Sequence, residues 1–299
     1  MKKPALPKLA AIVALLMTIG GVFGAWRDSL LLLPLALIPA TACVGILRGR
    51  AWSAYGLALL QAAQLLLIPL TALRGRPIAP EIYAACAFTV ALIALFWFSG
   101  RKLEAAGAQR GSPIGWVLLS ACITLPFLFL EPFVLPTASM ENTILQGEKV
   151  VVVRFPAATP QRNEIVAFRY PIDRRQTFCK RIVGVEGDRI KIVAKNLYRN
   201  GIRVNDPEAI HRTGALDDFR DNFPSTAAAP LYQPAVEMLE KNVQNGEIVV
   251  PKGKFFVLGD NRDLSLDSRY WGFIEQKDIV GRAWFIYGSP NKSRILKTL

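Results

Sequence analysis

"GDNRDLSLDSRYWG", Gly259 to Gly272, follows the apolar run "KGKFFVL" and holds three Asp, two Arg, two Ser, Asn, Tyr and Trp with little apolar spacing. A plain surface loop carries less Trp and Tyr, and a core strand carries fewer charges. The stretch therefore reads as a polar, aromatic knot at the end of a buried strand.

Its surroundings read as strands. After Pro136 the apolar runs are short and rich in Val, Ile and Phe: "KVVVVRF" (149–155), "EIVAFRY" (164–170), "KRIVGV" (180–185), "RIKIVA" (189–194), "EIVV" (247–250), "FFVLG" (255–259) and "VGRAWFIYG" (280–288). Turn signals separate them, and "EGD" and "RNG" suit tight hairpins. This spacing predicts a mostly-β, antiparallel, barrel-like domain. The stretch 205–246 is polar, Asp-rich and dotted with Pro, with a helix expected at Ala235–Asn242 and a flexible patch at "PSTAAAP", Pro224 to Pro230. It reads as an insertion carrying a smaller lobe.

The front of the chain differs. Of 299 residues 52% are hydrophobic, and Leu9 to Leu130 is mostly Leu, Ala, Ile, Val and Phe. A membrane span needs roughly 17–25 apolar residues. Five are expected: Leu9–Ala25, Ser29–Leu47, Trp52–Leu73, Ile82–Ser99 and Ile114–Leu130. The fold class expected is thus an N-terminal multi-span α-helical membrane region over 1–131, followed by the β domain over 132–299. Lys2, Lys3, Lys8, Arg48, Arg50, Arg101, Lys102 and Arg110 fall on one side of these spans, and Arg27, Arg74 and Arg76 on the other, which predicts a cytoplasmic N-terminus and an outer β domain. The basic, apolar beginning also looks like a signal peptide; an uncleaved first span is preferred, because another apolar run follows closely.

The net charge of +13 shows no nucleic-acid stripe, since the basic residues beyond the loop anchors alternate with acids. Cys43, Cys86 and Cys122 fall in the expected spans, and Cys179 is alone in the β domain, so no internal disulfide is expected there. The sole histidine, His211, lies in the irregular insertion, where nothing marks a catalytic strand end. One His and one Cys are too few soft ligands for a zinc site, and haem, flavin and nucleotide fingerprints are missing. No metal and no cofactor are expected.

Serine, lysine, tyrosine and carboxylates remain. "FVLPTASMENTI", Phe133 to Ile144, places Ser139 just after the last expected span. "TFCKRIVGVEGD", Thr177 to Asp188, places Lys180 at the head of an apolar strand. Burial disfavours an ammonium, and a neutral amine takes a serine proton without histidine. Read singly, the first is a juxtamembrane loop and the second an edge-strand lysine.

Taken together and in order, "LPTASMENTI", "KVVVVRF" with "RNEIVAFRYP", "KRIVGVEGD" and "GDNRDLSLDSRYWG" resemble the catalytic boxes of bacterial type I signal peptidases (leader peptidases), membrane-bound serine proteases with a Ser–Lys dyad. The resemblance covers roughly Phe133 to Gly288. It implies Ser139 as nucleophile and Lys180 as general base. The Ser139 N–H and the Thr137 hydroxyl match the oxyanion-hole donors. Ser265 matches a serine that orients the lysine, and Asp260, Arg262, Asp267 and Arg269 match a buttressing network. Phe133, Leu135, Met140, Ile144, Phe178 and Cys179 match the substrate pocket. The implied substrates are signal-peptide-bearing precursors cut after Ala-X-Ala. The implied place is the bacterial cytoplasmic membrane, with membrane lipid as a partner and no nucleic acid.

The sequence departs from that family where Asn142 stands for a usual proline, Ala138 for a frequent glycine, Leu264 for a common asparagine and Glu186 for a usual proline. The front half carries more expected spans than the family commonly has. Two other readings compete: a non-catalytic membrane-anchored peptide-binding protein, and a Ser–Lys self-cleaving protease of the repressor class. Retention of both Ser139 and Lys180 speaks against the first; the expected spans, the last box and the lack of a DNA-binding helix pair speak against the second.

Overall fold

The computed structural model describes residues 5–28, 33–65, 80–108, 118, 129–154, 159–225 and 231–299. The chain divides into two units, Met1–Phe129 and Leu130–Leu299.

The first unit is helical: α1 (Ala5–Asp28), α2 (Leu33–Leu47), α3 (Ala51–Leu65) and α4 (Pro80–Ala105). Ala10, Ala14, Ala42, Ala54, Ile46, Leu57, Leu92 and Phe96 form its core. Among the described residues, no helix is long and apolar enough to cross a membrane, which overturns the multi-span expectation. As described, α2 and α3 have 15 residues each, about 22 Å at ~1.5 Å per residue against a hydrocarbon layer of about 30 Å; residues 29–32 before α2 and 66–79 after α3 lie outside the described residues. The last turns of α4 carry Arg101, Lys102 and Glu104. Most of the fifth expected span (114–117 and 119–128) lies outside the described residues, as do Lys2, Lys3, Arg74, Arg76 and Arg110 of the orientation argument.

The second unit is mostly β. A seven-stranded sheet has the order β1-β2-β12-β3-β4-β10-β11. Its members are β1 (Leu130–Val134), β2 (Lys149–Val153), β3 (Ile165–Arg169), β4 (Thr177–Gly184), β10 (Lys254–Leu258), β11 (Ile274–Glu275) and β12 (Ile279–Gly288). A five-stranded sheet has the order β7-β6-β5-β9-β8, made of β5 (Arg189–Val193), β6 (Asn196–Arg199), β7 (Ile202–Arg203), β8 (Val243–Gln244) and β9 (Glu247–Val249). Among the described residues the unit also has the α-helices α5 (Gln233–Asn242) and the short α6 (Ser268–Trp271). The named strands pair antiparallel throughout. The smaller lobe is wider than the stretch 205–246, because its sheet begins at Arg189 and ends at Val249. Residues 226–230 of the expected flexible patch lie outside the described residues.

β1 was not expected from the sequence, where the last span runs through Leu130 and the stretch from Phe133 reads as a juxtamembrane loop. The segment instead pairs with β2, with Phe133 opposite Val150. Pro132 is tolerated because β1 is an edge strand, where no ladder partner needs its missing N–H. The buried Glu131 pairs with Arg154 at 2.8 Å. The "RNG" hairpin forms between β6 and β7. Asn200 and Gly201 have φ of +54° and +76°, the left-handed pair that matches strand twist in a two-residue turn.

Two buried clusters back the site. Leu135, Met140, Ile144, Val150, Val152, Ile165, Ala167, Ala283 and Ile286 form one. Val166, Phe168, Tyr170, Ile182, Phe255, Val257, Trp271 and Ile274 form the other. β3 is buried along nearly its whole length because it lies between β12 and β4, and it gives β4 a fixed floor.

Candidate active site

β4 carries Lys180 by alternation. Successive side chains point to opposite faces, so Phe178, Lys180 and Ile182 share one face, and Cys179 and Arg181 share the other. Lys180 is paired with Val166 of β3 and is 4% exposed. Ser139 is 6% exposed and sits in a 3-10 turn, Ala138–Met140, entered from an extended Thr137. The two meet: Lys180 Nζ lies 2.6 Å from Ser139 Oγ. Thr137 Oγ1 lies 3.1 Å from the same oxygen.

Among the described residues, Lys180 Nζ has one hydrogen-bond partner, Ser139 Oγ. An ammonium has three protons to place, and burying two of them unpaired is costly. Burial pulls the Lys180 pKa below its ordinary value; Asp267, Cys179 and Asp260 pull it back in part, and Arg269 adds to the lowering. The Phe178 ring, with its centroid 5.7 Å from Nζ, helps to keep water away. The thiol of Cys179, on the far face, is pushed by burial up to about 12, so it is inert as a nucleophile at neutral pH.

The stretch 259–272 closes over this pair. Asp267 and Arg269, 0% and 1% exposed, form a two-pronged ion pair at 2.8 Å through both Nε and Nη2. Burial would raise the Asp267 pKa, but Arg269 outweighs it, aided by Ser265 and the Gly259 N–H, and the carboxyl ends below its ordinary value. Asp260 takes two bonds from Arg181, Nε at 2.8 Å and Nη2 at 2.7 Å. Arg262 donates to the Gly259 carbonyl at 3.0 Å and pairs with Asp206. Asn261 grips the Ser139 turn directly: its backbone N–H donates to Ser139 O at 3.1 Å and its side chain to Ala138 O at 3.2 Å. Trp271 is fully buried between Phe168 and Tyr170.

Ser265 departs from its expected place. Its hydroxyl is buried but makes no well-formed hydrogen bond among the described residues, to Lys180 or to another group. It lies against Gly259 and close enough to Asp267 to favour the carboxylate. The expected pocket residues also divide. Leu135, Met140 and Ile144 belong to the core beneath the turn, with Phe133 and Cys179 half-buried at its margin. Phe178 packs in the other cluster, stacked on Tyr170 at 4.2 Å. Met140 and Ile144, at 0% exposure, form a floor rather than an open wall.

His211 is apart from the dyad's bonds. Its Nδ1 lies 3.4 Å from Asp263 Oδ1, and burial lowers its pKa against the opposing pull of Asp263. His211, Asp221 and Asp263 bring ligand-type atoms within 4.8 Å of one another, but Lys195 and Arg220 already pair with both carboxylates.

The sequence reading missed Arg181, the partner of Asp260. Strand alternation next to Lys180 was the available signal. It also missed Gly259. A methyl group there would overlap both the Ser139 carbonyl oxygen and Ser265 Oγ. Gly259→Ala is therefore expected to cost about 1–3 kcal/mol of stability by overpacking and about 100-fold in kcat by displacing the Ser139 turn. Urea unfolding beside steady-state kinetics checks this; wild-type values in both would mean the turn accommodates a methyl freely.

Residues 108–288 match the family model described as "Signal peptidase, peptidase S26". A signal peptidase I of Pseudomonas fluorescens is 28% identical over 286 residues, covering 73% of this chain and 97% of that protein. One from Rickettsia canadensis (strain McKiel) is 30% identical over 215 residues, covering 61% and 80%. A solved signal peptidase I from Enterococcus faecalis V583 is 29% identical, covering 42% of this chain and 97% of that one at a TM-score of 0.32, a likeness too low to add to the fold argument. With the matched region enclosing Ser139, Lys180 and the 259–272 stretch, the chain belongs to the signal peptidase family, peptidase S26.

Proposed function

We propose that Ser139 is the nucleophile and Lys180 the general base with which this signal peptidase removes N-terminal signal peptides from precursors, cutting after small residues in an Ala-X-Ala pattern. The observation that carries the assignment is the 2.6 Å approach of a buried lysine nitrogen to a serine oxygen, with burial favouring the neutral amine.

The chemistry runs in two halves. Ser139 Oγ attacks the scissile carbonyl carbon while its proton passes to Lys180 Nζ. The carbonyl oxygen becomes an oxyanion, held by the Ser139 N–H and the Thr137 hydroxyl. As the C–N bond breaks, the Lys180 ammonium returns the proton to the leaving amine of the mature protein, and an ester is left on Ser139. Water then attacks the ester carbon as Lys180 takes its proton; the bond from that carbon to Ser139 Oγ breaks as Lys180 returns the proton to Ser139 Oγ, and the signal peptide leaves as an acid that ionises to its carboxylate. Asp267–Arg269 and Asp260–Arg181 hold the loops that carry this geometry. The pocket for the small residues would draw on Phe133 and Cys179, half-buried beside the Leu135, Met140 and Ile144 core, and on Phe178; apolar walls of this kind exclude large side chains by clash.

Enzymes of this family are generally membrane-associated. We place the cleavage on the outer side of the bacterial cytoplasmic membrane, where a precursor's apolar segment still lies in lipid as its cleavage site reaches the enzyme. The test uses the full chain in detergent with a peptide bearing Ala-X-Ala. Cleavage after the second Ala is expected, with none when that Ala is replaced by Phe. His211→Ala is expected to cut at close to the wild-type rate. Equal cleavage of the Phe peptide would sink the pocket, and an inactive, folded His211→Ala would sink the lysine assignment. The non-catalytic and self-cleaving readings gain no support from the comparisons, which name signal peptidases.

A further inference from the structure

The segment 206–213, which follows β7, lies across both loops of the site. On one side it is stitched to the stretch after Gly259. Ile210 N–H donates to Asp260 O at 2.8 Å, Arg262 N–H donates to Ile210 O at 3.0 Å, Thr213 N–H donates to Asp263 Oδ2 at 2.8 Å, and Asp206 pairs with Arg262. On the other side it is tied to the nucleophile turn. Asn142 Nδ2 donates to Glu208 O at 3.1 Å and to Pro207 O at 3.4 Å, and Arg212 Nη2 donates to Glu141 Oε2 at 2.8 Å.

Asn142 stands out in its backbone. Its φ is +85°, a left-handed setting that costs most side chains and that Asn tolerates better than others. Proline, whose ring holds φ near −65°, is excluded at this position as folded. The left-handed residue comes three positions after Ser139, where the chain leaves the 3-10 turn, and its amide reaches two carbonyls more than sixty residues away in sequence.

We infer that Asn142 is a positioning residue, which, with Arg212, pins the Ser139 turn to the 206–213 strap so that the smaller lobe helps set Ser139 Oγ against Lys180 Nζ. The inference rests on Ser139 as nucleophile. Gly at position 142 adopts the same φ without strain but lacks the amide. Asp keeps the shape and sets a carboxylate against two carbonyl oxygens. The loss falls on a geometry needed in the transition state, so it belongs in kcat rather than KM.

The experiment compares Asn142→Gly, Asn142→Asp, Arg212→Ala and the Asn142→Gly/Arg212→Ala double variant in the full chain on an Ala-X-Ala peptide, with thermal melting of each and Ser139→Ala as a control. Asn142→Gly is expected to lower kcat roughly tenfold, with KM and melting near wild type and Asn142→Asp lower still. The double variant is expected to lose less than the product of its parents, because both ties serve one turn. Wild-type kcat in Asn142→Gly, or a rise in KM with kcat unchanged, would overturn the inference. If both Asn142 variants fail to fold, the exposed Arg212→Ala decides, and a wild-type kcat there overturns it. Residual cleavage by Ser139→Ala would instead break the nucleophile assignment, a separate failure.

Discussion

Lys180→Met is expected to lower cleavage by about 10⁴-fold or more while melting no lower than the wild type at pH 7. The two halves have one cause. Lys180 is almost wholly buried, and burial takes its pKa below the ordinary 10.5 of lysine. In the window between the folded value and 10.5, the unfolded chain holds a proton that the folded chain does not. Stability therefore rises with pH through that window, and below the folded pKa the whole penalty stands. Methionine fills similar space with no charge to bury, so its variant should melt at or above the wild type, with the margin shrinking as pH climbs toward the ordinary lysine range. Wild-type kcat/KM should rise with pH as Lys180 loses its proton. Melting curves and pH–rate profiles check both halves. A variant that melts far below the wild type would make Lys180 a structural lysine, and a wild-type rate without an acid limb would remove it as the base.

The second large effect is on stability. Asp267→Ala should cost about 3–5 kcal/mol at pH 7, because it leaves Arg269 charged and 1% exposed without its carboxylate. The folded-state pKa of Asp267 is below its ordinary value. Its contribution is present in full above the unfolded pKa and is lost as pH falls through the folded one. The gap between wild type and variant should therefore narrow in strong acid. Activity should fall with it, since Asp267 also accepts the Gly259 N–H at 3.2 Å and Gly259 packs on the Ser139 carbonyl. Urea unfolding at neutral and acid pH reads this directly. Matching midpoints at pH 7 would mean that Arg269 finds other acceptors, such as the Arg262 carbonyl it already reaches at 2.9 Å.

Most of the β unit was legible because period-2 patterns and turn residues are local signals. "KVVVVRF" became β2, "EIVAFRY" became β3 and "RIKIVA" became β5, with ends moved by a residue or two. β1 was not legible: "LEPFV" is apolar, adjoins an apolar run and contains Pro132, so only its pairing with β2 makes it a strand. The front half misled through composition. Length of apolar sequence cannot tell a span from helices that pack on one another, and Ala10, Ala14, Ala42 and Ala54 meet at a helix–helix core.

The sequence by itself determined the chemistry that was open to this protein. One histidine and scattered cysteines leave serine, lysine, tyrosine and carboxylates, and the ordered boxes that hold Ser139, Lys180, Asp260, Asp267 and Arg269, through their resemblance to the signal peptidases, narrow that set to serine and lysine. Only the tertiary structure decided who meets whom. It brings Ser139 to Lys180 across 41 positions of sequence, gives Asp260 to Arg181 rather than to a neighbour in its own loop, leaves Ser265 off the lysine nitrogen, and lays the 206–213 strap over the Ser139 turn. The reason is physical: periodicity and turn chemistry are encoded within a few residues, whereas a buried ion pair or a lowered lysine pKa depends on desolvation and on partners that distant strands supply only once the sheet is formed.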